Sequence, residues 1–178
     1  DPADGRRGRR RNLYQVQVLG LRERQRLLRR HDAQLLAGVV NHADLAIRAG
    51  RSATGGLPRI LGLDIAGEVA HLGPGVTGWK EGARVAVENR VKCGTCAPCV
   101  LGRDEFCERQ KRLGGELDGG HAQYCTVPAV NLQPIPDRMG FEEAATLPLA
   151  GHTAWHCLIE RVQLQPWEDV LIQAVGSG

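Results

Sequence analysis

The sequence predicts a mainly β protein with a few helices: a small, partly open β-barrel that carries a zinc lobe, followed by the first β element of an α/β domain. Two observations predict the barrel and its lobe. Short alternating β segments are joined by glycine-rich turns, and four of the six cysteines cluster in residues 93–107. A third observation is the change of character after Pro136, where helical segments precede an apolar strand that runs into glycines. A chain of 178 residues accommodates one domain and part of a second.

Residues 1–37 form an atypical arginine-rich segment. They hold ten arginines against four acidic residues, a net charge of +6, whereas the whole chain has a formal charge of +3. Leu13–Leu21 could form one strand and Leu21–Leu36 a short helix. A basic arm could bind nucleic acid electrostatically. Because the segment holds no aromatic residue beyond Tyr14 and matches no nucleic-acid module, we expect a solvated charged segment and no nucleic-acid partner.

Residues 38–140 contain the pattern of the barrel. A helical turn is predicted at His42–Ala49, and Gly50 ends it. Alternating or apolar segments separated by glycine, proline and asparagine then predict short strands. These segments are Ile60–Leu72, which reads as strand, turn and strand, Ala83–Glu88, His121–Val127 and Asn131–Pro136.

Residues 141–178 differ from the barrel region. Helices are predicted at Phe141–Leu147 and Gly151–Arg161, followed by a buried strand at Asp169–Val175. This strand runs into Gly176 and Gly178, as the first strand of a dinucleotide-binding unit does. Because the fingerprint continues only to Gly178, we expect this chain by itself not to bind the dinucleotide tightly and not to turn over substrate.

The cysteine cluster has the spacing C-x2-C-x2-C-x7-C, formed by Cys93, Cys96, Cys99 and Cys107. Four thiolates at about 2.3 Å from a common centre form the closed tetrahedral shell of a structural zinc ion. An iron–sulfur cluster is the main alternative, but the last spacing is seven residues where bacterial ferredoxins have three. We therefore predict one structural zinc with no position open for chemistry. Cys125 and Cys157 lie outside this spacing and are expected to be small buried apolar residues.

The sequence contains no apolar run of membrane-spanning length and does not begin like a secretory signal. Clustered cysteines in a reducing compartment usually bind metals. We therefore expect a cytoplasmic protein without a membrane partner.

Several segments together resemble the medium-chain dehydrogenases/reductases, the superfamily of zinc-containing alcohol dehydrogenases and quinone oxidoreductases. The resemblance implies an N-terminal GroES-like barrel that carries the active site and a Rossmann domain that binds NAD(P)H. It also implies small-molecule substrates and a homodimer or homotetramer. The segments are VNHADLAIRAG at 40–50, LPRILGLDIAGEVAHLGPGVTGWKEGARVAV at 57–87, CGTCAPCVLGRDEFC at 93–107, GGHAQYCTVPAVNLQPIP at 119–136 and FEEAATLPLAGHTAWHCLIERVQLQPWEDVLIQAVGSG at 141–178.

Catalytic zinc in this family has three protein ligands and one open position. By resemblance, these ligands fall on Asn41, Leu63 and Leu149, and a neighbouring glutamate falls on Asp64. Leucine cannot bind zinc and a neutral asparagine is a poor ligand. The family's Ser/Thr proton relay falls on Ala43. The sequence therefore predicts that catalytic zinc is absent.

This combination resembles the zinc-independent quinone and enone reductases, so we expect an NAD(P)H-dependent reductase of a quinone, enone or aldehyde. Asn41 is the expected hydrogen-bond donor to the substrate, although a loop asparagine that bonds its own backbone is an equal alternative. The resemblance places His42, Thr153, Gly176 and Gly178 near the cofactor. Two other functions stay open: a zinc-dependent alcohol dehydrogenase with substituted ligands, and a non-enzymatic binding module.

Overall fold

The computed structural model describes residues 15–19, of which only the backbone is described, 39–52 and 58–173. Its strands are β1 Gln15–Leu19, β2 Ile65–Leu72, β3 Arg84–Val87, β4 Arg90–Val91, β5 Lys111–Arg112, β6 Tyr124–Pro128 and β7 Leu132–Pro134. Its α-helices are α1 His42–Arg48, α2 Ala97–Val100, α3 Phe141–Thr146 and α4 His152–Trp155. Short 3₁₀ turns lie at Asp104–Phe106 and Ala129–Asn131, and π-helical segments at Leu147–Gly151 and His156–Arg161.

Five strands form one antiparallel sheet in the order β6-β1-β2-β3-β7. Strand β1 confirms the strand expected within Leu13–Leu21 and is hydrogen-bonded on both sides, to β2 and β6. Strands β6 and β7 are the two edges, so the described strands form an open sheet and no closed barrel. Strands β4 and β5 form a separate hairpin that leads into and out of the cysteine lobe.

The sheet buries a different kind of surface on each face because side chains alternate along a strand. Val85 and Val87 on β3 belong to a cluster of large aliphatic side chains, which also includes Ile65, Val69, Leu113, Val127 and Leu132. Ala86 faces the opposite side, where Phe141, Ala144 and Ala145 of α3 pack against it and against Ala66. Small residues on this face allow the helix to approach the sheet closely.

Two predicted strands begin later than expected. Residues 60–64 are irregular, and β2 starts only at Ile65. Their backbone bonds to a second loop, since the N–H groups of Gly119 and His121 donate to the carbonyls of Ile60 and Leu61 at 2.9 and 2.8 Å. Because Gly119–His121 is used in this way, the strand predicted at His121–Val127 begins at Tyr124.

The helices expected at Phe141–Leu147 and Gly151–Arg161 are confirmed as one helical run interrupted by wide turns. The strand expected at Asp169–Val175 is wrong for its described part, because residues 169–173 are irregular and exposed. A strand needs a neighbour for its hydrogen-bond ladder, and no strand of the described ranges lies beside this segment.

Within the described ranges, no helix combines the length and apolarity needed to cross a membrane. The helix expected at Leu21–Leu36 and the glycines at 176 and 178 lie outside the described residues.

Candidate functional site

The four cysteines of the lobe come together in space. Their Sγ atoms all lie within 4.8 Å of one another, the range that a shared metal ion requires. Cys93 follows β4, Cys96 precedes α2, Cys99 lies within α2, and Cys107 follows the 3₁₀ turn at Asp104–Phe106. The β4-β5 hairpin therefore closes the loop, and Pro98 in the first turn of α2 is compatible with a helix start because its missing N–H would be unpaired there.

Backbone N–H groups are directed at the sulfur atoms of Cys93 and Cys107, whereas burial raises the pKa of the Cys99 thiol to about 12. The N–H groups of Thr95 and Cys96 donate to Cys93 Sγ at 3.5 and 3.4 Å, and the N–H of Cys93 donates to Cys107 Sγ at 3.3 Å. The two donors at Cys93 lower the pKa of its thiol to about 5. Four thiolates without an open position are the donor set of a structural zinc ion, and the group fits one.

Two cationic side chains, Lys92 and Arg109, contact polar side chains within the lobe. Lys92 Nζ lies 2.8 Å from Asp104 Oδ2, which joins β4 to the turn before Cys107. Arg109 donates to Thr95 Oγ1 at 2.6 Å and so spans the loop. These contacts hold the lobe together on the outside, while the sulfur atoms lie at its centre.

Asn41 caps the N-terminus of α1. Its Oδ1 accepts the N–H of Ala43 at 3.0 Å, and its own N–H donates to Asp44 Oδ2 at 3.0 Å. This reciprocal cap satisfies two groups that a helix start otherwise leaves unpaired. Asn41 Nδ2 also donates to Asp64 Oδ2 at 3.3 Å, which links the helix to the start of β2.

Buried carboxyl groups surround this cap. Asp44 is 3% exposed, and its Oδ1 accepts the N–H of Gly62 at 2.9 Å. Asp64 is 2% exposed, and its Oδ1 has no hydrogen-bond partner among the described residues. Burial raises the pKa of Asp64 and the nearby Asp44 carboxylate adds to this effect, whereas the Asn41 hydrogen bond and His121 oppose it.

The positions expected for catalytic zinc ligands do not form a metal site. Leu63 is 3% exposed, Leu149 is half-buried, and neither side chain has a donor atom. Within the described ranges, the lobe cysteines are the only cluster of His, Cys, Asp and Glu side chains with the geometry to hold a metal ion. The three expected positions therefore supply two side chains without a donor atom and one neutral amide.

The remaining predicted site residues are dispersed. His42 is exposed in the first turn of α1. Thr153 is exposed in α4, and its hydroxyl donates to the Leu149 carbonyl at 2.7 Å. Gly176 and Gly178 lie outside the described residues. Cys125 is buried as expected, and the same burial raises the pKa of its thiol to about 12, whereas the expectation for Cys157 is wrong because this residue is exposed.

Sequence reasoning assigned no role to two acidic residues that hold Asn41 in place. Asp44 follows Asn41 by three residues, and this spacing of an N-cap residue and an acidic residue indicates a capping box. The contact between Asn41 and Asp64 joins residues 23 positions apart, so no local pattern reveals it.

Comparisons with known proteins agree with this architecture. The sequence model of the alcohol dehydrogenase GroES-like domain matches residues 34–137. The chain is 40% identical over 122 residues to an alcohol dehydrogenase of Geobacillus stearothermophilus, covering 68% of this chain and 36% of that protein. It is 40% identical over 126 residues to an L-threonine 3-dehydrogenase of Xanthomonas campestris, covering 71% and 36% of the two chains.

Solved structures give the same result. An NAD-dependent alcohol dehydrogenase superposes with a TM-score of 0.74 at 35% identity, over 92% of this chain and 44% of that chain. A cobalt- and zinc-bound thermostable alcohol dehydrogenase from Pyrobaculum aerophilum superposes with a TM-score of 0.68 at 33% identity, over 85% and 41% of the two chains. The chain thus spans little more than a third of the length of the two sequence relatives. The family match covers more than half of the chain, and the protein therefore belongs to the alcohol dehydrogenase GroES-like domain family.

Proposed function

We propose that the gene product containing this chain is an NAD(P)H-dependent reductase of a small quinone, enone or aldehyde that works without a catalytic zinc. The observation that carries this proposal is the donor set around Asn41. Leu63 and Leu149 occupy two of the three positions that resemblance assigns to zinc ligands, and neither can bind metal. Asn41 occupies the third and is half-buried, with an ordered amide.

Asn41 supplies the polarisation that a metal would otherwise give. One N–H of its Nδ2 is directed to Asp64, and the second is available to a substrate carbonyl oxygen. A preorganised donor of this kind stabilises the negative charge that develops on the oxygen during reduction. The bound NAD(P)H would supply the hydride. Because an amide does not release a proton near neutral pH, the proton that the reduced substrate takes up comes from water or from another group.

His42 and Thr153 are the proposed cofactor contacts, and both are exposed and therefore accessible to a ligand. Gly176 and Gly178 are proposed to begin the phosphate-binding turn. In this division of the chain, residues 38–140 form the GroES-like domain and residues 141–178 lead into the NAD(P)-binding domain. The lobe zinc has only a structural role, because its four thiolates leave no position for substrate.

A zinc-dependent alcohol dehydrogenase with substituted ligands is the second candidate. The comparisons favour it, since the first relatives are named as alcohol and threonine dehydrogenases. Zinc analysis of the purified gene product separates the two functions. One zinc per chain together with NAD(P)H-dependent reduction of 1,4-benzoquinone, 2-cyclohexen-1-one or benzaldehyde supports the zinc-independent reductase, whereas two zinc ions per chain with alcohol oxidation overturn it.

The role of Asn41 is tested by the substitution Asn41→Ala in the same gene product. Loss of a preorganised donor to a developing oxyanion lowers kcat by about 10²- to 10³-fold. Gln133→Ala, an exposed side chain on β7, is the matched control and should keep full activity. If Asn41→Ala reduces the substrate as fast as the wild type, Asn41 is not the donor. Failure to oxidise NADPH or NADH with any of the three substrates would favour a non-enzymatic binding module.

A further inference from the structure

We propose that Asp64 is a positioning residue for Asn41, which fixes the amide so that one N–H of Nδ2 stays available to the substrate carbonyl. This inference rests on the proposed function, in which Asn41 is the hydrogen-bond donor. It adds a residue that acts through Asn41 without touching the substrate.

The orientation of the Asn41 amide is determined at both ends. Its Oδ1 accepts the Ala43 N–H at 3.0 Å, and its Nδ2 donates to Asp64 Oδ2 at 3.3 Å. A flipped amide would place an oxygen against the Asp64 carboxylate and an NH₂ group against the Ala43 N–H. Both contacts would then be repulsive, so the observed orientation is favoured twice. Without Asp64, only the Ala43 contact would hold the amide.

Asp64 is suited to this role because it is enclosed by the protein. It is 2% exposed and lies between Leu63 and Ile65, both 3% exposed, at the entry to β2. Its Oδ1 is shielded from solvent and has no partner in the described part of the chain. A carboxyl group enclosed in this way does not reach a ligand in the site. Its effect on the reaction must therefore pass through Asn41.

Two other titratable groups face Asp64. Asp44 on α1 and His121, in the loop before β6, act on it electrostatically. Burial raises the pKa of Asp64, Asp44 raises it further, and His121 and the Asn41 hydrogen bond lower it, with a net rise. When the pH falls below this raised pKa, Asp64 becomes neutral and accepts more weakly from Asn41. Because the neutral carboxyl keeps a carbonyl oxygen for Asn41, we expect kcat of the wild type to decrease on the acid side by no more than about threefold.

The kinetic test uses the gene product with NADPH and 1,4-benzoquinone. Asp64→Val removes the acceptor, and misplacement of the donor should lower kcat about 10²-fold with KM changed less than about threefold. Asp64→Asn keeps an amide oxygen for Asn41, so it should retain kcat within about threefold and lose the acid limb of the pH profile. In a protein that already carries Asn41→Ala, the additional substitution Asp64→Val should not lower kcat further. If it slows that protein as much as the wild type, the positioning role is wrong.

A spectroscopic test remains decisive even if the reductase function fails. The gene product is labelled with ¹⁵N-asparagine, and the side-chain NH₂ signals missing from Asn41→Ala identify Asn41. In the wild type these signals should shift as Asp64 titrates, and in Asp64→Asn they should not. Asn41 signals that ignore pH in the wild type would overturn the positioning of Asn41 by Asp64, whatever the activity. Asn41 signals that shift with pH in a protein without reductase activity would reject the proposed function but support the contact between Asn41 and Asp64.

Discussion

Cysteines at 107 and 157 show how environment determines the role of a residue type. Cys107 is buried, and its sulfur lies within 4.8 Å of three others, whereas Cys157 is exposed and outside the lobe. A structural zinc site uses four protein ligands, and the loss of one leaves three thiolates and a fourth position that water must fill.

Cys107→Ser should therefore lower the zinc content from about one ion per chain to a small fraction and lower Tm. Structural zinc contributes its binding free energy directly to folding. Cys157→Ser is the control and should keep both values. Zinc measured by elemental analysis checks the prediction, and a zinc content unchanged in Cys107→Ser would contradict it.

Gly62 is the second position where a single residue carries structural consequences. Its φ of 106° lies outside the range that other residues adopt readily, and a Cβ here would lie 2.6 Å from the backbone nitrogen of His121. The loop at residues 60–62 and the loop at residues 119–121 can meet only if this atom is absent.

Gly62→Ala should therefore destabilise the protein by about 3 kcal/mol or more, because steric overlap adds to backbone strain. Gly82→Ala isolates the strain, since Gly82 has a φ of 78° and a Cβ added there would meet no atom of the described residues within 4 Å. This control should cost only about 1–2 kcal/mol. Urea unfolding measures the free energy of unfolding of both variants. Equal losses of stability would show that the loop at residues 119–121 moves to make room for the added Cβ.

At the scale of elements, Arg84 joins the sheet to the C-terminal helical run. From β3, its guanidinium donates to the carbonyls of Pro136, Asp137 and Met139 at 2.9, 2.7 and 2.6 Å. It also lies 4.5 Å from the ring centroid of Phe141, the first residue of α3. The planar guanidinium thus donates to three carbonyl groups of the bend before α3 and also covers the Phe141 ring, which packs α3 against the sheet.

Arg84→Lys should lower the free energy of unfolding by about 1–3 kcal/mol, because an ammonium cannot donate in the fork geometry that three carbonyls require. Arg48→Lys, an exposed residue at the end of α1, should change it by less than about 0.5 kcal/mol. Urea denaturation measures the free energy of unfolding of the wild type and both variants, and the comparison requires that their m-values are equal. An unchanged free energy of unfolding in Arg84→Lys would mean that a positive charge suffices at this position and that the fork geometry of the guanidinium adds nothing.

At the scale of the whole molecule, the cysteine lobe and the sheet are stabilised by different forces. The two buried clusters consist of side chains from the sheet, α3 and nearby loops, and neither includes a lobe cysteine. Helix α2, within the lobe, buries none of its residues. The lobe therefore has no hydrophobic core of its own and depends on its metal.

Removal of zinc with a chelator should consequently increase amide hydrogen exchange throughout residues 93–107. Exchange in β2 and β3 should change little, because their cluster does not involve the metal. Mass spectrometry of peptides before and after chelation measures both regions. Uniform loss of protection would show that the lobe and the sheet unfold as one unit, and an unchanged lobe would show that it needs no metal.

Features that depend on local chemistry follow from the amino-acid sequence alone. The cysteine spacing predicts the lobe, Gly50 ends α1 at a φ of 67°, and alternation predicts β3 and β7 to within two residues. The residue types at 63 and 149 likewise show that Leu63 and Leu149 cannot bind zinc. Each of these follows from residue type and spacing along the chain.

The meeting of distant residues is instead a property of the tertiary fold. The fold pairs the loop at residues 60–62 with residues 119–121, so two strands begin later along the chain than predicted. It also places Asp64 beside Asn41. The strand expected at Asp169–Val175 is wrong in its described part, residues 169–173, for the same reason. Apolar composition predicts burial, but a partner for the hydrogen-bond ladder must come from elsewhere in the fold. Contacts between residues far apart in sequence depend on the global packing, and no local pattern encodes them.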